Sequence, residues 1–174
     1  IEYSPIGAEL SRVNFSEAGI DGNNVICGDA LDPELLSKYK SKFDLVYSAG
    51  LIEHFADPHQ IIAAHIELAA EDGLIVITIP NLRGIYSPLL RIVNPALLVI
   101  HNLELMKIDK FRAAMDHSSV ELLFAEYCGF VDFDVIHAPG TLIANVVLAM
   151  TTRLNAVLNL FATRFFGGRR METS

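Results

Sequence analysis

Phe43-Asp44-Leu45-Val46-Tyr47-Ser48, Asp57-Pro58 and Leu74-Ile75-Val76-Ile77-Thr78-Ile79 together decide the fold. The first segment reads as a strand with a single charge near its start. Asp57-Pro58 opens a helix, because a capping side chain precedes a residue whose φ is already set; Ile62, Ile66 and Ala69 then recur four and three residues apart. Glu71-Asp72-Gly73 makes a turn. The β-branched run that follows is of the kind buried on both faces of a parallel sheet, and Pro80-Asn81 ends it. Strand, helix and strand at this spacing imply a right-handed βαβ crossover.

The same rhythm extends toward the N-terminus. Ser4-Pro5 supplies a cap and a first-turn proline, and Ile6, Leu10 and Val13 fall on one face of a helix over about residues 5–17, stopped by Gly19 and Asp21-Gly22. Val25-Ile26-Cys27 is a short strand ending at Gly28-Asp29. Asp32-Pro33 starts a further helix through Leu35, Leu36 and Tyr39. Alternating strands and helices predict an α/β fold, a doubly wound and mostly parallel sheet with helices on both faces.

Beyond Asn81 the rhythm breaks. Residues 82–117 read as a helical insertion within one domain spanning 1–174, with Ser87-Pro88 and Asn94-Pro95 each starting a short helix. Ser118-Ser119-Val120-Glu121 is a capping box that predicts a helix to Cys128-Gly129, followed by a strand from Phe130 to Ile136. Ile143, Val147, Met150, Leu154, Val157, Phe161 and Phe165 then fit one long amphipathic helix.

The 174 residues suffice for one α/β domain with a real core, and 52% hydrophobic content is globular rather than disordered. A formal charge of -8, from 21 acidic against 13 basic residues, argues against a nucleic-acid partner. Cys27 and Cys128 lack zinc-site spacing and read as reduced, buried thiols of a cytoplasmic protein. Ile1-Glu2-Tyr3 reads like the inside of an element, so a fragment is expected. The apolar stretches 89–100 and 142–166 are interrupted by polar residues and should not span a bilayer.

In a doubly wound sheet ligands bind where the strands end, which selects Glu2, Asp29, Ser48 through His54, and Asn81. A carboxylate such as that of Glu2 offers two acceptors to the two hydroxyls of a ribose; the plainer reading is an exposed terminal glutamate. Gly28 would let a flat ring approach the backbone, and Asp29 could accept from an exocyclic amine; alternatively it only caps a turn.

Four features in order carry a resemblance: Glu2; Gly28-Asp29-Ala30; Phe43 to Ser48 running into Glu53-His54; and Asp72-Gly73 before Ile79-Pro80-Asn81. The set resembles class I S-adenosylmethionine-dependent methyltransferases of the small-molecule type, closely over residues 1–81 and loosely to about 136. The resemblance implies a Rossmann-like methyltransferase fold, incomplete at the N-terminus, where the first strand and glycine-rich loop would precede Glu2, and at the C-terminus, where a closing strand is missing. It implies S-adenosylmethionine as cofactor, with Glu2 on the ribose, Gly28, Asp29 and Ala30 on the adenine, and Ser48, Ala49, Gly50, Leu51 and Ile52 beside the methionine moiety. Leu51 to Pro58 is its most characteristic piece.

Relatives that methylate quinones carry a glutamate three residues before the Glu-His pair and are thought to hold a divalent cation there; this chain has Gly50, so no metal is expected. His54 is the candidate general base, although a helix-start histidine bonded to nearby backbone is the preferred reading. His101, His117 and His137 permit no ranking. Glu53 is as apt to brace the loop as to touch substrate. The aliphatic insertion suits either a lid over an apolar or lipid-linked acceptor or a helical pair packed on the core. Arg164, Arg169 and Arg170 beside Phe165 and Phe166 suit a peripheral membrane contact or a solvated tail. The expected activity is methyl transfer to a small-molecule acceptor. Its rivals are a non-catalytic scaffold or regulatory module of the same fold and, more remotely, a nicotinamide-dependent oxidoreductase, for which the chain contains no Gly-x-Gly-x-x-Gly turn.

Overall fold

The structure, a computed structural model, describes residues 1–128 together with 149, 150 and 153. The strand predicted over Phe130 to Ile136 lies outside these residues, as do the basic end and all but three positions of the long C-terminal helix. The described residues are α/β, with helices and a small two-stranded parallel sheet. Among the described residues two compact units are present: Ile1–Ile79 with Ala114–Glu121, and Pro80–Ala113 with the described residues after Glu121.

In the first unit, α1 (Pro5–Glu17) begins where the Ser4 hydroxyl accepts from the Gly7 N–H, with proline in the first turn. Helix α2 (Pro33–Tyr39) starts the same way, with Asp32 accepting from the Glu34 N–H. Strand β1 (Phe43–Ala49) leads through a short 3-10 turn, Ile52–His54, to α3 (His59–Leu68) and then β2 (Ala69–Thr78). β1 and β2 pair in parallel, as the βαβ pattern requires. The core comprises Leu35, Ile52, Ile61, Ile62, Ala64 and Leu68, and α1 contributes the buried Ala8.

Two details differ from the sequence reading. Val25 to Cys27 does not form an extended strand; it contributes a single parallel bridge, Cys27 to Glu2. The pairing of β2 begins earlier than Leu74. Ala69 already pairs with Phe43, and the register then shifts so that Leu45 meets Leu74. Residues 70–73 lie within the strand and bulge out of its pairing in a tight turn of the backbone, with Asp72 in the left-handed region at φ 62°. A side chain on Gly73 would lie 2.9 Å from the Ala70 carbonyl oxygen, so the turn is tight enough to require glycine.

The second unit carries α4 (Tyr86–Val93), α5 (Pro95–Val99) and α6 (Ile108–Ala114), the last ending at the unit boundary. The first two are the short helices announced by Ser87-Pro88 and Asn94-Pro95. Leu82, Leu90, Val93, Leu105 and Met106 are buried, whereas Ile92 is 71% and Val99 84% exposed. The helix predicted from the capping box at Ser118 is not formed: residues 118–128 are turn and irregular chain. The Tyr127 hydroxyl donates to the Met106 carbonyl and accepts from the Ile108 N–H, while Arg112 donates to the Ala125 carbonyl. These long-range bonds replace helical ones. Cys27 and Cys128 are both exposed, a correction to their expected burial, because neither lies on a segment whose apolar neighbours are enclosed.

Among the described residues, no helix is long and apolar enough to cross a membrane.

Candidate functional site

Apart from Asn81, the residues singled out at strand ends gather in two places in the first unit. In the first, the Glu2 N–H donates to the Ile26 carbonyl and the Gly28 N–H donates to the Glu2 carbonyl, at 2.8 and 2.9 Å. This pair of bonds sets Glu2 directly beside Gly28, 26 residues away in sequence, with Asp29 and Ala30 following. The Glu2 carboxylate folds over the start of α1, where Oε1 accepts from the Ser4 N–H at 2.8 Å. Gly7 permits this, since a side chain there would lie 2.8 Å from Glu2 Cδ. Asp29 is exposed, and its Oδ1 accepts from the Leu31 N–H at 2.9 Å. Each carboxylate therefore has one local structural duty. A carboxylate carries about four lone-pair sites, so acceptor capacity is left on both.

The second place is the carboxyl end of β1. Ser48 is its last but one residue, and the chain leaves the strand at Ala49 and Gly50. The Gly50 N–H still donates to the Thr78 carbonyl at 2.9 Å, tying the exit to β2. Gly50 has φ 64°, and a Cβ there would sit 3.4 Å from Glu53 Oε1. A glutamate at this position would be strained by its backbone as well as crowded by Glu53. Leu51 is half-buried, Ile52 and Glu53 are buried, and His54 is exposed. His54 thus stands at the surface of the turn, on the segment that leads to α3. Asn81, in the second unit, is exposed and accepts from the Arg83 N–H through Oδ1.

One residue was missed by the sequence reading. His65 of α3 is 5% exposed, with Nε2 2.9 Å from Ser48 Oγ and Nδ1 2.6 Å from the Ile61 carbonyl oxygen. A carbonyl can only accept, so the network assigns the ring proton to Nδ1, and Nε2 then accepts from the Ser48 hydroxyl. Burial drives the His65 pKa below its ordinary value of 6.5, opposed in part by the bond to Ile61. The signal was present in the periodicity: His65 lies four residues after Ile61 and three before Leu68, on the apolar stripe of α3, where a polar side chain needs a partner. Ser48, read as a residue beside the methionine moiety, turns its hydroxyl toward α3.

No family model, no curated protein and no solved structure matches the chain.

Proposed function

We propose that this chain is a methyltransferase-like domain of the class I type, which takes S-adenosylmethionine and directs its methyl group to a small-molecule acceptor. The observation that carries the reading is the bridge between Glu2 and Cys27, which sets an acidic residue on one segment against Gly28-Asp29 on the next. A nucleoside needs this arrangement of acceptors: a carboxylate for the ribose hydroxyls beside a second for the adenine amine. The parallel sense of the bridge and of the β1–β2 pair is the sense a doubly wound sheet would have.

The residues that would hold the cofactor are Glu2 through its remaining acceptor sites, Asp29 likewise, and the Gly28 and Ala30 backbone. Ala49 to Ile52 would lie along the methionine moiety. When bound, S-adenosylmethionine supplies a sulfonium methyl group open to direct displacement by oxygen, nitrogen or carbon. The protein's part would be alignment and exclusion of water, with exposed His54 available to take a proton from the acceptor.

Titration calorimetry tests the reading. S-adenosylmethionine should bind, and Asp29→Ala should weaken it about tenfold, the equivalent of losing a hydrogen bond to a charged group. Binding of NADH in its place would favour the oxidoreductase, and binding of neither would sink both. A scaffold of the same fold is favoured by the engagement of Glu2 Oε1 and Asp29 Oδ1 with nearby backbone. Its signature would be unchanged stability on adding the cofactor.

A further inference from the structure

The Ser48–His65 bond joins the carboxyl end of β1 to the interior of α3, immediately before the chain turns toward the proposed methionine subsite. Both partners are enclosed, and the ring is fixed at its far side by the Ile61 carbonyl of its own helix. The Gly50–Thr78 bond anchors the same exit to β2 two residues later. The Ser48 bond is the side-chain anchor of this pair.

We propose that His65 is a positioning residue for the turn from Ala49 to His54, holding the end of β1 through the Ser48 hydroxyl. The proposal rests on the cofactor reading only for what the turn would touch. Protonation is the lever. A charged imidazole donates from both nitrogens, so Ser48 would have to rotate its hydrogen away and accept, and a cation would be enclosed at a residue only 5% exposed. The hold on the turn then weakens in acid.

The elements packed against α3 are β1, β2 and α2. Their charged groups, Asp44, Glu71, Asp72, Glu34 and Lys38, are exposed, and Glu67 of α3 pairs with Lys40. Glu53, on the turn itself, is the buried carboxylate of this region, and His54 beside it is exposed. An experiment must therefore separate His65 from these two neighbours.

His65→Gln does so, because its side chain keeps an acceptor for Ser48 and cannot titrate. Amide shifts of Leu51, Ile52 and Glu53 would be followed by NMR without ligand, from about pH 7.5 to about pH 5, the range in which histidine charges. A component of these shifts should follow the His65 ring in the wild type and be absent in His65→Gln; any component from His54 persists in both. If the two proteins give the same curves, the proposal is overturned. With S-adenosylmethionine, affinity should fall at least about threefold over that range in the wild type and less in His65→Gln, given the linkage between ring charge and binding. Cofactor that fails to bind at any pH refutes the functional reading, while the ligand-free shifts still decide the role of His65. Tight binding with the same pH profile in both proteins refutes the role of His65 alone.

Discussion

Helix α3 and the segment 118–128 start with equally good local signals and end differently. Asp57-Pro58 precedes α3, where Asp57 accepts from the His59 N–H, and the helix forms over an apolar stripe that is enclosed by the sheet. Ser118 to Glu121 offers a capping box, yet no helix follows, and Leu123 and Phe124 are 72% and 70% exposed. A cap contributes only about 0.5–2 kcal/mol, whereas enclosing one large aliphatic side chain contributes about 1.5–3 kcal/mol. A cap chooses where a helix begins. Burial decides whether it persists, in keeping with the rule that short isolated helices are marginal in water.

Truncation is the strongest way to break this contrast. Ile61→Ala, at a side chain with no exposure, should destabilise the first unit by about 2–5 kcal/mol in urea unfolding. Leu123→Ala should change stability by no more than about 0.5 kcal/mol. Comparable losses at the two positions would mean that the outer segment is held by packing after all.

Acid should act on the α3 side. The folded pKa of His65 is lowered, so its neutral ring contributes stability that is fully present above the unfolded value of 6.5. That contribution is lost as pH falls from there through the lower folded value, since the unfolded chain then binds more protons. The urea midpoint should drop between about pH 7.5 and about pH 5, with a shallower drop in His65→Gln. Equal slopes would refute the assignment of a buried neutral ring.

Tyr127→Phe should cost about 1 kcal/mol, less than Ile61→Ala and more than Leu123→Ala, and confined to the second unit. The hydroxyl there bridges the Met106 carbonyl and the Ile108 N–H. Hydrogen exchange at the Ile108 amide should quicken while that at β1 stays as it was. Unaltered exchange at Ile108 would show that the tyrosine bond does not shape the segment.

Legibility in the sequence follows the same division. The starts of α1, α2 and α3 could be read because serine or aspartate before proline acts within a few residues. Strand β1 and the Leu74 part of β2 could be read from their runs. The pairing of Ala69 with Phe43 could not, because Glu71-Asp72-Gly73 reads as a turn ahead of a strand that starts at Leu74 and not as a bulge within one. In the candidate site, Glu2 and Gly28 were legible as strand ends, but their adjacency depends on a bridge between distant segments. The partnership of Ser48 with His65 spans 17 residues, and the helix stripe reveals only that His65 needs some partner. Residues 118–128 misled because their bonds run to Met106, Ile108 and Arg112, far outside any local pattern.

The exposed thiol of Cys27 has a practical consequence. It sits in the bridge with Glu2 and directly precedes Gly28 and Asp29, so a fluorophore attached through a maleimide would be seated next to the proposed adenine subsite. With Cys128 replaced by serine, that single label would test the proposed subsite optically: a change in its emission on adding S-adenosylmethionine supports the placement, and an unchanged emission counts against it.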